Sequence, residues 1–321
     1  MVVVTGAAGF VGARVVEALR LRGVPVASVD HLSAFDSRPE HAGLDFGERV
    51  DVDDLPRWLE AAREVTAVVH LGACTDTREM DRDYLNRVNL RASQDLWHYC
   101  TRHGIPLIYA SSAATYGDGA LGYDDDEALI PSLKPLNPYG QSKQDFDVWA
   151  LGEERRGHHP PAWAGLKFFN VYGFGERHKG RMASVVLHAF DQAQSRGFVQ
   201  LFKSHREGIA DGHQARDFVF VGDVVDAIVA MLDAPPPRGI FNLGSGTART
   251  FLDLTRAVFA ALDRPADIRF IDTPVDLRSQ YQYFTEARMT RLREAGFARR
   301  PTDLETGVAE YVARLTRAAQ V

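Results

Sequence analysis

The sequence predicts an α/β fold in which helices wind around both faces of a parallel sheet. Short runs rich in Val, Ile and Leu recur in the first half, at residues 2–5, 26–30, 67–71 and 107–110. Runs that are apolar at successive positions suit strands buried on both faces. Amphipathic segments separate these runs, beginning with residues 11–21. This alternation predicts right-handed βαβ crossovers and a doubly wound sheet.

Composition narrows the class of protein before any motif is considered. The chain has 321 residues, of which 45% are hydrophobic and 25% charged, as in ordinary globular proteins. Its 37 basic and 43 acidic residues give a net charge of −6, which argues against a nucleic-acid partner. No apolar run approaches the roughly 18 residues of a membrane helix, and no basic leader precedes the first strand. Since Cys74 and Cys100 cannot form a disulfide scaffold, we expect a cytoplasmic enzyme.

The pattern also predicts two unequal parts. Residues 1–170 carry the regular alternation of strands and helices and are predicted to bind a nucleotide. In the second half, loops rich in glycine, histidine and charge alternate with short apolar runs such as 218–221 and 240–243. A helical pattern closes the chain from residue 304 to residue 319. We therefore expect a smaller α/β substrate-binding part over residues 171–321, interwoven with the first.

A glycine-rich loop follows the first predicted strand. Gly6, Gly9 and Gly12 stand between that strand and the first predicted helix, in the spacing GxxGxxG. Glycines here allow a tight turn and a close approach of the backbone to a pyrophosphate, which then lies at the helix N-terminus. A glycine turn without a ligand is the alternative. The strand before the loop and the helix after it favour a Rossmann-type dinucleotide site.

An acidic residue, Asp30, ends the second predicted strand about 20 residues beyond the loop, where it can bond the adenosine ribose. Its charge favours NAD, because a carboxylate repels the 2′-phosphate of NADP. Arg38 or Arg49 would reverse that preference by pairing with the phosphate. The alternative for Asp30 is that it only caps the following loop. Asp51 and Val52 are predicted to lie along the adenine.

Candidate catalytic residues stand on a predicted helix and at a predicted strand end. Tyr139 and Lys143 are four residues apart and share one helical face. We expect the lysine charge to lower the pKa of the phenol and make it a usable base. Ser112 follows an apolar strand, at the end where open parallel sheets bind ligands, and is predicted to hold a substrate oxygen against Tyr139. A Tyr-x-x-x-Lys pair alone is weak, but with the glycine loop, the acid and the serine it predicts one active site.

These motifs make the sequence similar to the extended short-chain dehydrogenase/reductase family over essentially its whole length. Three segments of the second half, 170–173, 216–223 and 239–244, add to the similarity. Within that family the sequence most resembles the enzymes that epimerise carbon 6 of an ADP-bound heptose. The segments that carry this narrower resemblance are 109–117, 169–173, 178–185 and 281–285. The most specific is 178–185, His-Lys-Gly-Arg-Met-Ala-Ser-Val, which common UDP-sugar epimerases do not carry.

The resemblance implies an isomerase that oxidises and re-reduces its own substrate. Bound NADP or NAD would oxidise carbon 6 to an aldehyde, which turns over in the pocket and is reduced on its opposite face. Inversion requires a proton-transfer group on each side of the sugar, and Tyr139 and Lys179 match these two positions. A lysine can act in this way only where burial or another cation lowers its pKa. Ser112 would orient the oxygen, and Lys143 would bind the nicotinamide ribose.

The resemblance also assigns residues around the two ligands. Arg216 matches a clamp on the ADP phosphates, since a guanidinium suits phosphate oxygens. The matched substrate-binding positions are Ser112, Asn170, Lys179, Arg181, His188, Phe202, Arg216 and Tyr281. The predicted cofactor-binding positions are Gly6, Gly9, Phe10, Val11, Gly12, Asp30, His31, Arg38, Asp51, Val52, Leu71, Gly72, Ala73, Thr75, Asn89, Tyr139, Lys143 and Val171.

Two departures from the family pattern bear on specificity. The loop 205–215 is longer than in the heptose enzymes and would reshape the substrate pocket. The segment after Asp30 lacks the lysine that commonly helps the family hold NADP, and Arg38 is the candidate to replace it. The family favours NADP although it keeps the acid, so NADP is the predicted cofactor and NAD the alternative.

Other functions fit the sequence less well. Another nucleotide-sugar epimerase or reductase of the same family is the nearest alternative, whereas a 4,6-dehydratase would place an acid where Ala113 and Ala114 follow the serine. A non-catalytic dinucleotide sensor is a remote alternative, because such proteins tend to lose the tyrosine or the lysine. No metal site is predicted, since the acidic run 124–127 lacks ligand spacing. The expected partners are a nucleotide-sugar and, from the family, further copies of this chain, with no nucleic acid and no membrane.

Overall fold

The computed structural model describes residues 1–62, 64–234, 238–278, 282–297 and 300–318. The strands in these ranges are β1 (Val2–Thr5), β2 (Val26–Asp30), β3 (Glu48–Asp51), β4 (Ala67–His70), β5 (Leu107–Ser112), β6 (Trp163–Phe168), β7 (Asn170–Tyr172), β8 (Val199–Phe202), β9 (Ala215–Phe220), β10 (Gly239–Leu243), β11 (Ala248–Thr250) and β12 (Ile268–Ile271). The helices are α1 (Phe10–Leu21), α2 (Leu32–Asp36), α3 (Leu55–Ala61), α4 (Arg82–Leu85), α5 (Ala92–His103), α6 (Pro138–Arg155), α7 (Val185–Arg196), α8 (Val221–Asp233), α9 (Phe251–Ala261), α10 (Val275–Arg278), α11 (Thr290–Glu294) and α12 (Leu304–Ala318).

Among the described residues, seven strands form one sheet in the order β10-β6-β5-β4-β1-β2-β3. Every neighbouring pair in this sheet is parallel. The predicted doubly wound parallel sheet is therefore confirmed. Because the strand order reverses between β1 and β4, a crevice opens there beyond the carboxyl ends of the strands. The glycine loop after β1 and the segment after β4 both lie at this crevice.

The bounds of the predicted elements agree closely with the structure where the strands are uniformly apolar. β1 and β2 have the predicted ends, β4 ends one residue earlier than predicted, and β5 continues to Ser112. The predicted closing helix is α12, with residue 319 outside the described residues. The sequence did not predict β3, an edge strand, or β6, which contains Gly165 and Lys167. Lys167 is fully buried, so β6 departs from the apolar pattern of a central strand.

The second half of the chain both completes the large sheet and builds two smaller ones. β10 extends the large sheet by pairing with β6 along its whole length. In the smaller sheets, β9 pairs with β7 and β11, and β8 pairs with β12. β7 begins two residues after β6 ends, so the three-stranded sheet starts at the crevice.

The core lies between the large sheet and its helices. Val3 and Val4 of β1 and Val68 and Val69 of β4 are fully buried, as expected for central strands of a parallel sheet. α1 packs against α8, and α6 packs against the helical turn 86–91 between α4 and α5. In the part of the chain that the structure describes, no helix is long and apolar enough to cross a membrane.

Candidate active site

The glycine loop fits closely against the segment that follows β4. Gly6 has φ of +66°, and a Cβ at this position would lie 2.7 Å from the backbone nitrogen of Gly72. A Cβ at Gly12 would collide with the carbonyl oxygen of Gly6. Helix α1 begins after Gly9 with no side-chain cap. Its first backbone N–H groups are therefore available to a phosphate, and the loop has the close backbone packing of a dinucleotide cradle.

The acid at the end of β2 contacts the glycine loop. Asp30 accepts a hydrogen bond from the Ala8 backbone nitrogen at 3.0 Å. It also accepts one at 2.9 Å from the backbone of His31, at the start of α2. The capping contact that the sequence gave as the alternative is thus present, beside a contact with the glycine loop that the sequence did not predict. The carboxylate lies at the edge of the cradle, where a ribose of the adenosine would lie.

Of the two candidate arginines for a 2′-phosphate, only Arg38 lies at this loop. It donates to the carbonyl oxygen of Ala8, and its charge interacts with that of Asp30. Burial lowers the pKa of Arg38, and Asp30 opposes that shift. Arg49 instead bonds Asp36 at 2.8 Å. Its guanidinium also lies over the ring of Phe35.

Helix α6 positions the catalytic candidates through its first turn. The side chain of Asn137 accepts a hydrogen bond from the Gly140 nitrogen at 2.8 Å and caps the helix N-terminus. Tyr139 therefore lies in the first turn, where its phenol is hydrogen-bonded with the hydroxyl of Ser112 at the end of β5. One turn later, Lys143 donates to the carbonyl oxygen of Ala110 at 2.9 Å.

The electrostatics of this pair differ from the sequence prediction. Burial raises the pKa of the Tyr139 phenol, and the hydrogen bond with Ser112 only partly opposes this. The prediction that Lys143 lowers this pKa was wrong for this arrangement, because burial is the larger effect. Burial also lowers the pKa of Lys143 to about 8, against the opposing charges of Asp147 and Cys74. The ammonium of Lys143 consequently titrates close to neutral pH.

A second basic group approaches from the turn 177–182. The ammonium of Lys179 lies 5.7 Å from the centre of the Phe10 ring, next to the glycine loop. Burial lowers the pKa of Lys179, while Glu176 opposes the shift. A lysine can act as a base only where burial or another cation lowers its pKa, and burial has this effect on Lys179. The turn is fixed by Glu176, which is buried and accepts hydrogen bonds at 2.6 Å from both the backbone nitrogen and the hydroxyl of Ser184.

One cleft of about 1620 Å³ joins these groups at the switch point of the sheet. Both proposed proton-transfer groups line it, Tyr139 from α6 and Lys179 from the turn 177–182. The predicted site residues that line the cleft are Gly6, Gly9, Phe10, Val11, Gly12, Asp30, His31, Arg38, Val52, Leu71, Gly72, Ala73, Thr75, Ser112, Tyr139, Lys143, Val171 and Lys179.

Two predicted cofactor residues, Asp51 and Asn89, are not among the residues that line the cleft. Asp51 accepts backbone hydrogen bonds from Leu32 at 3.2 Å and from Asp53 at 3.0 Å. Asn89 is buried and bonds the backbone nitrogen and oxygen of Cys74 at 2.8 and 3.0 Å. The structure therefore gives Asn89 a supporting place, in which it fixes the segment that lines the cleft.

The remaining predicted substrate residues are outside the cleft lining. Asn170 is exposed at the start of β7, and Phe202 ends β8. Arg181 pairs with Asp76 at 3.4 Å, and its carbonyl oxygen lies 3.4 Å from Nε2 of His188. The structure does not bring these four residues together with Tyr139. Arg216 is also apart from the cleft: it is buried in β9 and donates to the carbonyl oxygens of Ala215 and Gln282. Tyr281 lies outside the described residues.

The long loop before β9 is held against the segment that starts at residue 282. The Tyr283 hydroxyl accepts a hydrogen bond from the His205 backbone nitrogen at 2.9 Å. The guanidinium of Arg206 lies 5.6 Å from the centre of the Tyr283 ring. Within the loop, Asp211 accepts a hydrogen bond from the Ser204 nitrogen at 2.7 Å. The loop is therefore fixed both internally and against the segment around Tyr283.

Three residues near the site had no assigned role in the sequence. Cys74 lines the cleft next to Lys143, and burial raises the pKa of its thiol. Glu40 holds the turn of Lys179 through His178, with a carboxylate-to-Nδ1 distance of 3.1 Å. Asp147 shares the α6 face with the catalytic pair. Of these residues, the sequence could have indicated only Asp147, through its spacing of four residues from Lys143. Nothing in the sequence indicated that Glu40 contacts the site.

The fold and the site define a nicotinamide-dependent enzyme of the short-chain dehydrogenase/reductase type. The model of the NAD dependent epimerase/dehydratase family matches residues 2–244, and the chain belongs to this family. Over 97% of its length the chain is 44% identical to the ADP-L-glycero-D-manno-heptose-6-epimerase of Fusobacterium nucleatum, of which it covers 97%. Relatives at this level of identity over nearly the full length carry the name of that epimerase.

Solved structures agree with this placement. The Helicobacter pylori ADP-L-glycero-D-manno-heptose-6-epimerase is similar with a TM-score of 0.79 and 25% identity, covering 100% of this chain and 96% of that one. The Thermus thermophilus UDP-glucose 4-epimerase, solved with NAD, has a TM-score of 0.78 and 27% identity over 98% of both chains. Both of these structural neighbours are nucleotide-sugar epimerases. The glycine cradle and Asp30 fit the dinucleotide that such enzymes hold. No group of three His, Cys, Asp or Glu residues in the described ranges could hold a metal ion.

Proposed function

We propose that this protein inverts carbon 6 of ADP-glycero-manno-heptose, with NADP as its resident cofactor. The name shared by its full-length relatives supports the substrate. The observation that supports epimerisation as the reaction type is that Tyr139 and Lys179, which lie on separate elements, line one cleft. A single proton-transfer group is enough for a one-way dehydrogenase, whereas an aldehyde whose oxygen moves to the opposite side of the cleft as it turns over is served by a second group there.

The environments of these two groups separate their roles. When bound, the nicotinamide supplies transient oxidation and re-reduction of carbon 6. Lys179, whose pKa burial lowers, accepts the proton of the carbon 6 hydroxyl during oxidation in one direction. Tyr139, whose pKa burial raises, gives a proton to the aldehyde oxygen after the aldehyde has turned over. The two groups exchange roles in the reverse direction, because the same transition states are crossed.

The neighbouring residues orient the reacting oxygen. Ser112, at the end of β5, holds the oxygen at the phenol with which it is already hydrogen-bonded. Lys143 binds the nicotinamide ribose, since its ammonium extends from α6 to the carbonyl oxygen of Ala110 inside the cleft. Asn170, His188, Phe202, Arg216 and Tyr281 are assigned to the nucleotide-sugar by family resemblance alone.

NADP is proposed over NAD because of Arg38. This guanidinium lines the cleft beside Asp30 and the glycine loop, where a 2′-phosphate attached to the ribose would be within its reach. Substituting Arg38→Met should weaken NADP⁺ binding about tenfold more than NAD⁺ binding, the size expected for a charge-assisted hydrogen bond. Arg49→Met is the matched control, since Arg49 is bonded to Asp36 instead. Fluorescence titration measures both constants, and an unchanged ratio in Arg38→Met would favour NAD.

The reaction is tested directly with ADP-D-glycero-β-D-manno-heptose and the purified protein. No cofactor is added beyond what co-purifies, and NMR follows the configuration at carbon 6. Conversion to a mixture of both epimers is the expected result. If protein that holds cofactor leaves the sugar unchanged, the heptose assignment fails, and UDP- and GDP-sugars then test for another nucleotide-sugar epimerase or reductase of the family.

A non-catalytic sensor is separated from an enzyme by Tyr139→Phe. Loss of the hydroxyl should abolish turnover, because a phenyl ring has no proton to exchange with the substrate oxygen. Cofactor binding should be retained, since the phenyl ring fills the same space. A sensor would show no turnover in the parent protein either.

Assembly and location are proposed from the family. We infer from the family resemblance that the protein forms a homo-oligomer and works in the cytoplasm. Light scattering of the purified protein tests the oligomeric state, with a monomer at all concentrations as the opposing result. Cell fractionation tests the location.

A further inference from the structure

A buried ion pair lies directly behind the catalytic pair. Asp147 and Lys167 are both fully buried, and their charged atoms are 2.6 Å apart. Tyr139, Lys143 and Asp147 are spaced by four residues along α6, so they form one row on a single face of the helix. The row connects the reacting end of the helix to the core.

The pair joins the elements that carry the reacting groups. Asp147 accepts hydrogen bonds from the hydroxyls of Tyr109 at 3.0 Å and Ser111 at 2.7 Å, both on β5. Lys167, on β6, also donates to the Thr115 hydroxyl at 2.7 Å, in the turn that follows Ser112. The rotation of α6 about its axis is therefore set by Asp147. That rotation decides where Tyr139 and Lys143 lie relative to β5.

The same carboxylate acts on the charge of Lys143. The groups that face this ammonium are Asp147 and Tyr139 on α6, His70 on β4 and Cys74 after β4. The Asp147 charge raises the pKa of Lys143 against burial, and without it the pKa would fall below about 8. His70 contributes no positive charge at neutral pH, because burial lowers its pKa to about 3. At neutral pH, Asp147 is thus the main charge that keeps Lys143 protonated.

We propose that Asp147, with Lys167 as its counter-ion, is a positioning residue of the active site that fixes α6 against β5 and keeps Lys143 cationic. The effect of Asp147 on catalysis rests on the proposed function. Removing both charges avoids leaving an unpaired charge in the core, so the double variant Asp147→Asn/Lys167→Met is the informative one. Asp147→Glu retains the charge. Val308→Ala, on the buried face of α12, is the control for loss of stability alone.

The test measures the alkaline limb of two pH profiles, kcat/KM for epimerisation and the affinity for NADP⁺. The double variant should shift both limbs to lower pH, because Asp147 is the partner whose charge raises the pKa of Lys143. Asp147→Glu should keep both limbs in place, as should Val308→Ala, whatever their melting temperatures. If the double variant keeps the parent limbs and loses activity only in proportion to stability, the pair is structural and the proposal is overturned.

The two readouts separate this proposal from the proposed function. NADP⁺ titration by fluorescence requires no sugar, so it tests Asp147 even in a protein that does not convert the heptose. A parent protein without epimerase activity would contradict the proposed function. A double variant with an unshifted NADP⁺ profile would contradict the role of Asp147.

Discussion

The side chains that would exchange protons with the sugar have pKa values displaced in opposite directions by the same cause. Burial disfavours the charged form of each group, so it raises the pKa of Tyr139 and lowers that of Lys179. A phenol that keeps its proton and an amine that gives its proton up are complementary as acid and base at neutral pH. Burial in one cleft therefore displaces both pKa values in the directions that suit an acid and a base.

The role of Lys179 as a base predicts the effect of a conservative substitution. Lys179→Arg keeps the positive charge and much of the volume, but a guanidinium cannot accept a proton at neutral pH. We expect kcat for epimerisation to fall by about 10²- to 10⁴-fold, the usual contribution of a general base. Affinity for NADP⁺ should change little. Lys134→Arg, on the exposed surface, is the control, and more than a tenth of the parent kcat in Lys179→Arg would contradict the role.

At the scale of elements, a chain of hydrogen bonds connects four segments around the cleft. Thr5 at the end of β1 bonds His70 at 2.6 Å, and His70 bonds Ser93 on α5 at 2.9 Å. Ser93 donates to the carbonyl oxygen of Asn89 at 2.5 Å, and the amide of Asn89 donates to Ser142 on α6 at 2.9 Å. Asn89 lies in a π-helical turn, a geometry that often occurs at functional sites. These hydrogen bonds thus fix the position of the glycine loop relative to the first turns of α6.

This chain predicts that Asn89→Ala weakens cofactor binding although Asn89 does not line the cleft. The substitution removes three side-chain hydrogen bonds and leaves the buried backbone of Cys74 without its partners, at a cost of about 2–3 kcal/mol in the free energy of unfolding. The Kd for NADP⁺, measured by fluorescence titration, should rise. Thr255→Ala is the control, since the Thr255 hydroxyl is buried but bonds only within α9. An Asn89→Ala protein with the parent Kd would show that the segment 71–75 holds its position without this residue.

The contact between the segment 39–41 and the turn of Lys179 predicts a pH dependence of stability. Hydrogen bonding with His178 lowers the pKa of Glu40 to about 2 from an ordinary value of 4.5. A carboxylate with a depressed pKa stabilises the fold above the unfolded-state pKa, and this stability is lost as the pH falls through the folded-state value. The free energy of unfolding should therefore exceed that of Glu40→Gln most at pH 6, and the difference should narrow towards pH 3.

Urea denaturation at several pH values measures this difference. Glu310→Gln, which removes an exposed carboxylate of α12, controls for the general effect of one charge. A gap between parent and Glu40→Gln that stays constant from pH 6 to pH 3 would mean that the carboxylate charge does not contribute.

The sequence predicted strands accurately where their buried side chains are apolar. It failed where a buried polar side chain depends on a partner that is distant in sequence. The ends of β1 and β2 were predicted to the residue, because the buried positions of these strands hold mainly apolar side chains that are visible as apolar runs in the sequence. β6 was missed because its buried Lys167 is neutralised by Asp147, a partner 20 residues away that no local pattern reveals. The glycine loop, Tyr139 and Lys143 were predicted from local spacing. The supporting contacts of Asn89 and Glu40 were not, because they join residues distant in sequence.

At the scale of the whole molecule, the two halves of the chain share one core. β10 pairs with β6 along five residues, and Asn242 of β10 is fully buried against the first half. Asn242 accepts a hydrogen bond from the Tyr116 hydroxyl at 2.7 Å and donates its backbone N–H to Asp125 at 2.7 Å. The side-chain amide also donates to the carbonyl oxygen of Tyr123 at 2.8 Å. These contacts satisfy polar groups of the first half that would otherwise be buried without partners.

Because of this arrangement, we expect that residues 1–170, the predicted nucleotide-binding part, do not fold alone. In a fragment of residues 1–170, β6 stays paired with β5 but becomes an edge strand without β10, and the segment 116–125 loses the partners that Asn242 provides. The full chain should unfold in a single calorimetric transition, because neither part can lose structure without exposing the other. NADP⁺ at a hundred times its Kd should move that whole transition upwards, by about 2.7 kcal/mol in the free energy of unfolding. The fragment should show no cooperative transition and no shift with NADP⁺. Two separate transitions in the full chain, or a fragment that melts cooperatively and binds NADP⁺, would instead mean that residues 1–170 form an independent domain and that β10 only extends a sheet already stable without it.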